Sequence, residues 1–130
     1  MKKIAFIFIL LSLISCSTSA DISSQNLLNG KWSWVSSSGG FIGKTITPKS
    51  ENKSVVIQFS KSVIKRYENG KLVSENTFTI DNQASIYGGE RKMIILEDNS
   101  RKQSFEIKDN KLFLNDECND CYQSEYVRVK

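Results

Sequence analysis

From Ser54 onward, short runs rich in Val, Ile, Phe and Tyr alternate with brief polar breaks, and that rhythm leaves little slack for anything but strands joined to their chain neighbours. Two of the breaks are explicit turns. Asn69-Gly70 and Asp109-Asn110 each separate two such runs, and both dipeptides suit a tight two-residue hairpin, Asn-Gly being the strongest signal for a type I′ turn. A chain built this way folds by antiparallel hairpins.

Within the runs the period of two marks one face. Trp32 and Trp34 set the inward phase, and Val55, Ile57, Phe59, Leu72, Phe78, Ile80, Phe105, Ile107, Leu112, Leu114 and Tyr126 follow it. Met93-Ile94-Ile95-Leu96 is unbroken, as in a strand covered on both faces. Strands over 31–36, 54–59, 62–67, 72–80, 92–97, 102–108, 112–114 and 122–129 make eight. Eight is about the number at which an antiparallel sheet closes around side chains alone or around one small ligand. The expected fold is all-β, an up-and-down barrel over residues 27–130 with no convincing helix.

Between the first two strands, residues 37–53 carry three glycines and the only proline, Pro48. Gly43-Lys44-Thr45 imitates the tail of a phosphate-binding loop, but Ser38 stands at the leading glycine position. Ile46-Thr47-Pro48 also cannot begin the helix whose amides would hold a phosphate. The segment reads instead as a loop over the barrel mouth, plugged by Phe41 and Ile42.

The first residues have a different character. Met1-Lys2-Lys3 precedes an apolar run from Ile4 to Ile14, broken only by Ser12. The run is too short for a stable spanning helix, and residues 1–15 have the form of an export signal. Leu13-Ile14-Ser15-Cys16 resembles the lipobox of bacterial lipoproteins at all four positions. That resemblance implies cleavage before Cys16 and acylation of its thiol and amine by palmitate-like chains, the alternative being an ordinary secretory signal with an incidental cysteine. Each methylene buried in a bilayer contributes about 0.8 kcal/mol, so two or three chains anchor stably. Residues 16–26 are polar and aperiodic, a flexible tether. The implied location is the bacterial cell envelope, and Ser17 supplies no acidic retention cue after the cysteine, which favours the outer membrane.

The ends of the domain carry a second resemblance. Leu28-Asn29-Gly30-Lys31-Trp32 contains the Gly-x-Trp of the lipocalin first strand, and Tyr126-Val127-Arg128 is similar to the closing Tyr-x-Arg of lipocalin-like (calycin-type) lipoproteins of Gram-negative bacteria. The resemblance implies a barrel with Trp32 packed beneath it and Arg128 lying across the indole as a structural clasp. A guanidinium over an indole contributes about 0.5 to 2 kcal/mol. Cys118-Asn119-Asp120-Cys121-Tyr122 departs from the glycine and aromatic residues usual before the last strand of that family, and the helix after the barrel in large lipocalins is absent.

Composition excludes several chemistries. There is no histidine, which removes the usual general base and the commonest metal ligand. Lys plus Arg number 18 and Asp plus Glu 14; with Lys2 and Lys3 in the signal, 16 oppose 14, too even a balance for a nucleic-acid footprint. Cys118 and Cys121 have no second pair for zinc and lack a strand-helix setting for redox work. In an oxidising envelope they read as a local disulfide beside Asp116, Glu117 and Asp120. Glu75, Glu97, Glu106 and Glu125 fall out of phase with the apolar set and belong to the outer face. No catalytic residue, metal or cofactor is expected.

Two functional classes remain. One is a binding module for a small apolar or amphipathic molecule, lined by Trp34, Phe41, Ile42, Phe59, Phe78, Phe105 and Tyr126, with few fixed charges. The other is a protein-interaction or inhibitor barrel of the envelope whose interior is full of side chains. For the anchor, Cys16→Ser is expected to move the protein from the membrane fraction to the soluble fraction; an unchanged fractionation together with an unacylated N-terminal peptide would refute lipidation.

Overall fold

In the computed structural model, which describes residues 19–130, the hairpin rhythm becomes a closed barrel. The export signal and Cys16 lie outside the described residues. Among those residues the order is α1 (Ser19–Leu28), β1 (Gly30–Gly39), β2 (Lys44–Ile46), α2 (Pro48–Glu51), β3 (Val55–Ser60), β4 (Val63–Glu68), β5 (Lys71–Ala84), β6 (Glu90–Leu96), β7 (Lys102–Lys108), β8 (Lys111–Asp116) and β9 (Tyr122–Arg128). Every pairing is antiparallel, and β1 meets β9 to close eight strands into a ring, with β2 as an addition. The expected architecture is borne out. The positive φ values of Asn69, Gly70, Asp109 and Asn110 are those of the two tight turns.

β1 organises both ends. Its lower half, Gly30 to Ser33, pairs with β3, and its upper end, Ser37 to Gly39, pairs on the same edge with β2. A bulge at Val35 interrupts the ladder to β9, where Trp34 faces Tyr126 and Ser36 faces Glu125. One extra residue reverses the alternation, so Ser37, not Ser36, follows the tryptophans inward.

The lower end is sealed by α1. Sequence periodicity predicts a tether there, but the segment from Ser19 is helical because its end is held from the barrel. Leu28 is buried in the core. The last carbonyls of a helix lack partners within it. Here Trp32 Nε1 donates to the Leu28 carbonyl at 2.8 Å, Arg128 Nη2 donates to that of Leu27 at 2.8 Å, and Nη1 donates to that of Asn29 at 3.0 Å. The Arg128 guanidinium also lies over the Trp32 ring, 4.1 Å from its centroid. A Cβ on Gly30 would stand 3.2 Å from Arg128 Nη1, and φ is +124° there, so glycine serves the clasp directly. Along the helix, buried Ser24 accepts from Lys92 Nζ at 2.8 Å.

Above this base the core comprises Trp32, Val55, Ile57, Phe59, Phe78, Ile94, Leu112 and Leu114, with Ile80, Phe105 and Ile107 half-buried against it. Phe59 and Phe78 meet edge to face at 5.5 Å. Leu72 departs from the inward set, being 50% exposed. A bulge between Arg66 and Tyr67 in the ladder to β5 pairs Arg66 with Ser74 but Tyr67 with Leu72, turning Leu72 out with Tyr67. Met93 and Ile94 are both buried although they point to opposite faces, so that wall is covered twice, as its unbroken apolar run predicts. Over its outer side the β5–β6 turn reaches Glu117, which accepts from Ser85 Oγ and the Ile86 N–H at 2.9 Å each. Tyr87 donates to the Asp116 carbonyl at 2.7 Å. Cys118 and Cys121 stand at disulfide distance, their Cα atoms 5.5 Å apart. Gly39, at φ +142°, packs so close to the Cys121 carbonyl that a side chain there would collide with it.

Arg128→Met removes a cation–π contact and two charged hydrogen bonds, and is expected to lower stability by about 2 to 3 kcal/mol in urea unfolding. Arg128→Lys should restore only part, and a midpoint equal to the parent's would show that the clasp bears no load. Burial pushes the Glu117 carboxyl up, but the Ile86 and Ser85 hydrogen bonds and the Arg91 charge outweigh it and leave the carboxyl below its ordinary 4.5. A depressed carboxyl stabilises fully above its unfolded value, and that contribution is lost as pH falls through the folded one. Glu117→Gln should therefore cost about 1 kcal/mol at pH 7. The deficit should vanish in acid, and a pH-independent deficit would contradict this account.

Candidate functional site

At the end opposite α1 the barrel opens into a cavity of about 290 Å³. Every strand of the ring contributes to its lining, from Trp34 and Ser37 of β1 round to Ser124 and Tyr126 of β9. The floor is apolar, formed by Trp34, Ile57, Ile64, Leu96 and Leu114. β2, α2 and the turn after it complete one side with Ile46, Glu51 and Lys53. Thr47 caps α2 reciprocally with Ser50, which fixes that short helix at the rim.

The wall is polar. Trp34 Nε1 donates to Ser37 Oγ at 2.8 Å, and Ser37 Oγ lies 2.6 Å from Ser124 Oγ, so the indole reaches the cavity with its polar edge satisfied. This bond depends on the Val35 bulge that turns Ser37 inward. On the neighbouring side, Arg101 holds Asp116 through Nε and Nη2 at 3.2 Å each, and Gln103 Nε2 donates to Asp116 Oδ1 at 2.7 Å. On β4, Arg66 Nε and Nη2 both reach Glu68 Oε1, at 3.3 and 3.1 Å, and Lys53 Nζ approaches the same oxygen at 3.5 Å. The Arg66 hydrogen bond, with Lys53 assisting, holds the Glu68 carboxyl below its ordinary range. Tyr126 is buried, and burial raises its hydroxyl pKa although Arg66 and Arg101 nearby oppose the rise.

The residues expected to line a ligand site separate into three groups. Trp34 and Tyr126 line the cavity. Phe59 and Phe78 lie in the packed core and Phe105 is half-buried against it. Phe41 and Ile42 do not plug the mouth: they are 91% and 80% exposed at the apex between β1 and β2. The β1–β2 pairing, Gly39 to Lys44, carries that apex away from the opening. The expectation of few fixed charges also fails, since Lys53, Arg66, Arg101, Glu51 and Asp116 all line the space. Their signal was available in the phase: Asp116 continues Leu112 and Leu114, Gln103 and Arg101 continue Phe105 backward, and Arg66 continues Ile64.

Arginine, glutamine, asparagine, serine and tyrosine side chains give this lining directed donors. Among the described residues no group of three or more acidic or cysteine side chains is placed to hold a metal ion. On the outer face Lys65 faces Glu75 at 3.9 Å and Lys111 faces Glu125 at 3.0 Å, solvated pairs worth little. No protein-family model, curated protein or solved structure matches the chain.

Proposed function

We propose that this chain is a lipocalin-like lipoprotein of the cell envelope, tethered through Cys16 to the outer membrane, as the absence of an acidic residue at Ser17 suggests, and that its barrel takes a small amphipathic molecule in the open end. The observation that carries this reading is the cavity itself, whose apolar floor and polar wall sit in one space of about 290 Å³. That volume is at the lower edge of the range ligand pockets occupy, about 300 Å³ and upward. An apolar body on Trp34, Ile57 and Leu114 would leave its polar group among Arg66, Asn76, Gln103 and Tyr126. A wholly apolar ligand would leave the Asn76 amide without an acceptor, a cost of about 1 to 3 kcal/mol when it is buried.

A second reading is favoured by a separate observation. Phe41 and Ile42 form an exposed apolar apex on a paired hairpin, which is what an interaction barrel would present to an envelope protein. The two readings place the contact on different residues.

Native mass spectrometry of the purified protein, followed by titration with the neutral fluorophore N-phenyl-1-naphthylamine while Trp emission is followed, discriminates them. The binding module predicts saturable uptake with quenching of Trp34, weakened by Leu114→Asp and insensitive to Phe41→Ala. Absence of any bound mass and of saturable uptake would overturn it.

A further inference from the structure

Only Ser17 and Thr18 separate Cys16 from the start of α1 at Ser19. Three residue steps span at most about 11 Å, so a lipid on Cys16 brings α1 itself to the membrane. α1 is in turn fixed to the closed end of the barrel. Trp32 and Arg128 hold its last carbonyls, and Lys92 holds Ser24 at its middle. Lys92 lies four residues along β6 from Leu96, which lines the cavity, on the side away from the mouth. Backbone and side-chain bonds gather the turns of this end around the clasp. The Lys61 N–H donates to Asn29 Oδ1, the Arg128 N–H to the Asn110 carbonyl, and the Val129 N–H to the Lys31 carbonyl. Lys31, Lys61 and Lys108, all exposed, therefore stand around the junction with Arg128. Lys111 is already neutralised by Glu125 at 3.0 Å. Against these four cations, α1 and the same turns carry two acidic residues by sequence, Asp21 and Asp109. Around the cavity the charges are matched instead, Glu51, Glu68 and Asp116 standing against Lys53, Arg66 and Arg101. The outer side of α1 is apolar as well: Ile22, 54% exposed, points away from the face that buries Ser24 and Leu28.

Resting on the lipid-anchor reading, we infer that the closed end of the barrel is a docking surface for the anionic phospholipid face in which Cys16 is anchored. Lys31, Lys61 and Lys108 lie among the headgroups, Ile22 of α1 sits at their level, and the mouth opens into the aqueous space. Basic side chains beside an anionic surface are attracted within about a Debye length, and a short anchor keeps them inside that range. The opposite orientation is barred by length. β1 runs ten residues from the clasp to Gly39, about 33 Å, which Ser17 and Thr18 do not bridge. The cavity then takes its ligand from solution and not sideways out of the anchoring leaflet, and Phe41 and Ile42 project away from that leaflet.

The test is lysine acetylation of the acylated protein in vesicles of phosphatidylglycerol and phosphatidylcholine, read by peptide mass spectrometry against the mature chain carrying Cys16→Ser, free in buffer. Acetylation of Lys31, Lys61 and Lys108 should slow about fivefold or more on the vesicles, while Lys44 and Lys49 of the collar keep their rates. Protection of Lys44 and Lys49 in place of the basal lysines, or equal rates at all five, would overturn the inference. A second arm dispenses with the anchor. The Cys16→Ser chain should bind vesicles containing phosphatidylglycerol in preference to phosphatidylcholine alone, less so at high salt, and Lys61→Gln and Lys108→Gln should each weaken it by about fivefold. Equal binding to both vesicles would likewise overturn the docking surface. An unacylated Cys16 in membrane-purified protein, read from the mass of the N-terminal peptide, would instead remove the lipid-anchor reading, so the two failures are told apart.

Discussion

The junction of Arg128, Trp32 and the end of α1 is the constraint on which the barrel rests. A barrel of this size has two open ends, and the first and last strands must meet for it to close at all. Trp32 and Arg128 face each other across that meeting, in register in the β1–β9 ladder. Their side chains converge on the same three consecutive carbonyls, those of Leu27, Leu28 and Asn29. Strand closure and end closure therefore share one set of contacts, since the arginine that β9 brings to β1 is also the donor to the carbonyls at the end of the helix. Coupling of that kind favours an all-or-none transition.

With one end sealed, packing fills the barrel from the bottom upward and runs out before the top. The lower rings receive Trp32, Phe59, Phe78 and Leu112, large enough to meet at the axis. The upper rings receive serine, asparagine, glutamine and arginine, which turn to one another along the wall and leave the axis empty. The cavity follows from a gradient in side-chain chemistry along otherwise regular strands.

That gradient explains what could be read from the sequence and what could not. Turns and strand faces are local properties, so Asn69-Gly70, Asp109-Asn110 and the phase from Trp32 and Trp34 carried directly into the structure. The clasp was legible because glycine, tryptophan and arginine sit at the two ends in a recognisable spacing. α1 was not legible, because Ser-Ala-Asp-Ile-Ser-Ser has no apolar stripe, and its helicity depends on groups as distant as Lys92 and Arg128. The charged wall is missed for a different reason: the expectation of few fixed charges counts only the apolar residues of the inward phase, although Arg66, Gln103 and Asp116 keep that phase on their strands. Leu72 failed because a bulge, invisible in composition, broke that phase. Phe41 and Ile42 failed because apolarity was equated with burial, whereas a two-strand hairpin holds its apex in solvent.

The bulge at Val35 has a consequence beyond the side chain it redirects. It divides β1 into two stretches that keep separate company, one fastened to β3 and the clasp, the other to β2 and the rim. Length or sequence can change in the rim, from Gly40 through α2, without disturbing the alternation below the break, because the register there is set independently. The molecule thus has a closed foundation and a separately paired collar in a single strand, a division of labour under which the opening can be altered while the base stays closed.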